Sequence, residues 1–116
     1  MAVRQLRVVV FPETNKAWTA RSLEHDLAMV GRTAEAAVDA LLRVASAHIE
    51  FDMRHGHQPL SAFRPAPRPY WNAFAGASML NKPVEVTTTE TLAPLSCLIT
   101  VTEKNPAIRP STSRIA

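Results

Sequence analysis

From Val38 to Met53 the apolar residues Val38, Leu41, Leu42, Ala45, Ile49 and Met53 recur three and four positions apart. That spacing lines one side of an α-helix and no side of a strand. Thr33 is a good N-cap, Glu35 suits the positive end of the helix dipole, and Gly56 behind a basic last turn is a stop signal. The pattern predicts one long amphipathic helix from Ala34 to Arg54. Its outer face carries Glu35, Asp39, Arg43 and Glu50, with Asp39 to Arg43 and Glu50 to Arg54 as favourable pairs four apart. Such a stripe has to be buried against another layer, so the rest of the chain must supply one.

Strands supply it. Leu6 to Phe11 is β-branched or bulky throughout, with Leu6, Val8 and Val10 on one face and Val9 and Phe11 on the other, so both faces are expected to be covered. Pro12 should close this strand. Glu13-Thr14-Asn15-Lys16 is turn chemistry leading into Ala17 to Leu23, and together these make a hairpin. Leu27 to Val30 is a third short apolar run that Gly31 breaks before the helix. After His57, Pro59, Pro65, Pro67 and Pro69 punctuate an ordered loop. Tyr70 to Leu80 reads as a short helix anchored by Tyr70, Trp71 and Phe74. Val84 to Thr91 and Ser96 to Glu103 have strand composition, separated by Ala93-Pro94.

The expected fold class is therefore α+β, an antiparallel sheet with one long helix packed on one face and C-terminal strands extending it. A chain of 116 residues, 47% hydrophobic, suffices for one core. We read a single domain over 1–104, with a core at 6–56, the loop and short helix at 57–82 and strands at 84–103. Residues 105–116 read as a flexible tail.

A net charge of +3 permits nucleic-acid binding without demanding it. The single cysteine, Cys97, excludes an intramolecular disulfide and a multi-cysteine zinc site, which suits a reducing compartment and makes the cytoplasm the expected location. The N-terminal residues show neither a signal peptide nor a membrane span.

No group of residues assembles into a catalytic set, so no enzyme activity and no cofactor are expected. His48 and Asp52 stand four apart on one helix face as two metal ligands would, with His55 and His57 close behind. A histidine bonded to an aspartate at the edge of the apolar stripe is the simpler reading, and no metal site is assigned. Glu24, His25 and Asp26 alternate across a chain turn and cannot converge on one atom. As an exposed charged loop they are candidate partner contacts. Arg64, Arg68, Tyr70 and Trp71 mix cations with aromatics, the composition of single-strand nucleic-acid surfaces. Arg64, Arg68 and Trp71 join the candidate contacts, and a small basic nucleic-acid-binding regulator is the alternative function. The threonine-rich strands 84–91 and 96–103 make acceptable edges, and an unprotected edge pairs with a second copy or another chain, so a homo-oligomer is expected.

Val8-Val9-Val10-Phe11, Trp18-Thr19-Ala20-Arg21-Ser22-Leu23 and the run from Val30-Gly31-Arg32-Thr33 to Leu41 carry a resemblance. Strand, turn, strand, short strand and then an amphipathic helix opening on Gly-Arg-Thr-Ala-Glu-Ala-Ala resembles the core domain of HicB-family antitoxins and their stand-alone relatives, over roughly Leu6 to Gly56. Complete antitoxins of that family carry a C-terminal DNA-binding segment, whereas here the chain after Lys82 reads as strands. The resemblance implies a non-catalytic domain that binds and blocks a small ribonuclease toxin and forms dimers or higher oligomers.

Overall fold

A computed structural model of the chain describes residues 4–88 and 95–106. Along the chain run β1 (Arg4–Thr14), β2 (Ala17–Ser22), β3 (Ala28–Gly31), α1 (Ala34–Arg54), α2 (Arg68–Leu80), β4 (Val84–Thr88) and β5 (Leu95–Val101). The five strands form one sheet in the order β3-β2-β1-β5-β4. The expected Ala93-Pro94 break, the end of the fourth strand towards Thr91 and the tail from 107 onwards lie outside the described residues.

The fold is α+β, as the residue pattern requires, with one correction to its sheet. β1 pairs antiparallel with β2, and β4 with β5, but β1 and β5 run parallel, with Arg4 opposite Leu95 and Val10 opposite Val101. The sheet is mixed rather than antiparallel because β5 inserts between β1 and β4, and a strand returning after two helices is free to enter in either direction. β1 also continues through Pro12 to Thr14, with an irregular register between the two. Its pairing with β5 ends at Val10. Past that point β1 pairs with a strand on one side only among the described residues, and a proline without an N–H is tolerated on such a local edge.

α1 starts and stops where its caps place it. The Thr33 hydroxyl accepts from the Ala36 N–H at 3.0 Å, and Gly56 takes the left-handed φ of +71° just past the end. The stripe buries Leu41, Leu42, Ala45 and Ile49 against Leu6, Val8, Val10 and Ala20 on one sheet face. Met53 departs from expectation: the last buried residue of α1 is Ile49, and Met53 is 53% exposed. On the opposite face Val9, Phe11 and Leu23 pack with Ala66, Tyr70 and Phe74, so α2 forms a third layer. β1 is thus covered on both faces, and each fully buried Leu or Val side chain contributes about 1.5–3 kcal/mol.

Candidate functional site

The loop of Glu24, His25 and Asp26 turns out to be half-buried and internally engaged rather than an exposed charged turn. Glu24 takes the backbone N–H of Arg7 at 2.7 Å and its Nε at 2.8 Å. Asp26 receives a two-pronged contact from Arg21, Nε to Oδ1 at 2.7 Å and Nη2 to Oδ2 at 2.9 Å. The hydrogen bond to Asp26 raises the Arg21 pKa above its ordinary value despite an opposing effect of burial. His25 donates through Nδ1 to the Phe63 carbonyl at 3.3 Å, since a carbonyl only accepts. The three residues are therefore brought to the sheet but not to one another's chemistry.

Both arginines also stack on α2. The Arg21 guanidinium carbon lies 4.2 Å from the Tyr70 ring centre, with Nη1 donating to the phenol oxygen at 2.9 Å, and Arg7 lies 5.1 Å from the Trp71 ring. Trp71 donates its indole N–H to the Ala66 carbonyl at 3.0 Å. Tyr70 is buried and Trp71 half-buried, each with a ring face taken by an arginine of the protein, while Arg64 and Arg68 are exposed. These residues lock α2 onto β1 and β2, a role that neither Arg7 nor Arg21 discloses in the sequence. The only signal was their alternation with apolar neighbours.

The histidines do not converge. His48 sets its ring edge-on to Phe63 at 5.0 Å instead of bonding Asp52, and His55 stacks on Phe51 at 4.1 Å. Asp52 accepts from the Leu60 backbone N–H at 2.8 Å, which holds buried Leu60 in a left-handed conformation at φ 61°. Among the described residues no three His, Cys, Asp or Glu side chains stand where they could hold a metal ion. Cys97 is buried, and burial, with a smaller push from the charge of Glu24, raises its thiol pKa to about 12, far from the thiolate that a nucleophile requires.

What the pattern of residues did not disclose is the corner of the sheet that α1 leaves open. The helix packs mainly on β3, β2 and β1. On that face Val84 and Val101 stay 63% and 57% exposed beside Val86. Together with Val38 and Ala34 of α1 they line an open groove of about 370 Å³, with Glu35 and Asp39 on its helix side. Among the described residues β4 borders it as an edge strand with one side unpaired.

Compared with known proteins, the chain matches no family model, no curated protein and no solved structure. No helix among the described residues is long and apolar enough to cross a membrane.

Proposed function

We propose that this chain is a protein-binding module of the HicB-like kind, an antitoxin-type or orphan relative that acts without catalysis, through contact with another protein and through self-association. The observation that carries the reading is the exposed apolar patch at the corner of the sheet where β4 begins and β5 ends. Val84, Val86 and Val101 present apolar surface on and beside β4, whose outer edge pairs with no other strand among the described residues. Exposed apolar surface of this sort marks interaction sites, and an edge strand supplies the directional hydrogen bonds. The acidic pair Glu35 and Asp39 beside the groove favours a partner with basic residues, as a small ribonuclease would have.

The test compares the natural chain with Val84→Lys and Val101→Lys. Light scattering over a hundredfold concentration range is expected to show self-association of the natural chain that both substitutions weaken. Affinity capture with the same three proteins is expected to retain a stoichiometric basic partner on the natural chain only. A natural chain that stays monomeric at every concentration and retains no partner that either substitution releases would end this reading.

A further inference from the structure

Around the C-terminal end of β5 a second and larger groove opens towards the last turn of α2, sharing Val84, Ile99 and Val101 with the first. It has a volume of about 610 Å³, within the range of small-molecule sites. Leu80 and Ala77 form the α2 wall, and Leu80 is 82% exposed. Lys82 and Lys104 stand on the lining, as does one carboxylate, Glu103. No ion pair engages either lysine among the described residues.

The β5 wall contributes Thr100. Alternation along β5 sends Leu95, Cys97 and Ile99 into the α1-side core, so Thr100 faces the α2 side, and it is part of the groove lining. Thr100 is 5% exposed, and its hydroxyl is buried with no hydrogen-bond partner among the described residues. Buried hydroxyls are normally bonded, because an unmade hydrogen bond leaves the desolvation cost of the group unreturned. A donor left unused beside two unpaired cations and an apolar wall defines a specific chemistry. The wall suits a hydrocarbon body, the lysines favour a negative end, and the threonine O–H can donate to a carboxylate oxygen.

We propose that this groove binds a small amphiphilic carboxylate, with its chain against Leu80 and Ala77 and its charged end between Lys82, Lys104 and Thr100. The site shares Val84, Ile99 and Val101 with the groove that carries the protein-binding reading, but Lys82, Lys104 and Thr100 line this groove alone, so failure of the binding tested below leaves that reading standing.

The experiment titrates the full ¹⁵N-labelled chain separately with octanoate, octylammonium and 1-octanol, following backbone amide shifts. The three probes share a chain and differ in charge. Octanoate is expected to give saturable shifts concentrated on Ala77 to Val84 and Thr100 to Lys104, with octylammonium at least tenfold weaker. Lys82→Glu and Lys104→Glu should each weaken octanoate roughly two- to fivefold, as expected for exposed ion pairs. Thr100→Val is the sharper variant. It removes a hydroxyl that stabilises nothing in the free protein, so stability should hold or rise while octanoate affinity falls about tenfold, as loss of a hydrogen bond to a charged group implies. Equal binding of all three probes, shifts spread over the whole surface, an absence of saturable shifts, or full octanoate affinity in Thr100→Val would each overturn the assignment.

Discussion

Replacing Gly31 by alanine tests how closely β3 must approach α1. Gly31 ends β3 opposite Trp18 on β2, one turn before the helix begins. A β-carbon placed on it lies 2.5 Å from the Ala37 nitrogen, 2.8 Å from the Ala36 carbonyl carbon and 2.9 Å from the Ala36 β-carbon. Two of these three atoms are backbone of the first helical turn, which no rotamer change can move aside. The strand must separate from the helix, and that loosens a contact which also buries Ala37. Overpacking of a rigid site costs roughly 1–3 kcal/mol, and a backbone clash belongs at the upper end, so Gly31→Ala should lose about 3 kcal/mol. For a domain of this size about 1 kcal/mol corresponds to about 4 °C, which places the loss in Tm near 12 °C. Gly76 is the internal control. It sits within α2, a β-carbon there meets nothing within 4 Å, and alanine should add about 0.5–1 kcal/mol through helix propensity. Thermal unfolding followed by circular dichroism should give shifts of opposite sign for the same chemical change. If Gly31→Ala melts at or above the natural chain, the close approach of β3 to α1 is not what this position serves.

Two further expectations concern charge. The folded Cys97 thiol, with its pKa raised to about 12 against an ordinary 9.0, stays protonated where the unfolded thiol ionises. Its contribution is fully present below pH 9 and is lost as pH rises towards 12, at up to about 1.4 kcal/mol per pH unit. Urea unfolding at pH 8.0, 9.5 and 10.5 should therefore show a steeper loss of stability in the natural chain than in Cys97→Ala, and equal slopes would contradict the burial argument. For the Arg21–Asp26 pair, whose side chains are 24% and 28% exposed, a double-mutant cycle with Arg21→Ala and Asp26→Ala should return a coupling of about 1–2 kcal/mol. A coupling near zero would mean that the two-pronged contact adds nothing to stability.

Local features were legible in the residues themselves. The bounds of α1 follow from Thr33, Gly56 and a six-member apolar stripe, because capping and periodicity act within a few residues of one another. The covering of β1 on both faces was visible in Val9 and Phe11 for the same reason. Long-range geometry was not. Nothing near Leu95 states that its strand enters beside Arg4 and runs parallel to it, since orientation is decided by how the intervening helices return the chain. The reduced exposure of Glu24, His25 and Asp26 has a similar origin: Arg7 pairs with Glu24 from the neighbouring strand, Arg21 pairs with Asp26, and His25 meets the Phe63 carbonyl from a distant loop. Both candidate grooves are products of what α1 and α2 leave uncovered, and a strand of valines and threonines reads alike whether or not a helix lies above it.

The parallel pairing of β1 with β5 also sets an order on how the molecule is completed. During synthesis β1, β2, β3 and α1 emerge first and can assemble as a hairpin-based half-sheet. The β1 edge from Arg4 to Val10 meanwhile has no partner until β5 has left the ribosome. Closing contacts between segments so far apart in the chain is slow relative to forming local ones. Through that interval the nascent chain displays an apolar strand edge, which is the surface that chaperones and aggregating neighbours compete for. The central seam of the finished sheet is thus the last to be sewn, and truncation anywhere before Leu95 leaves it open.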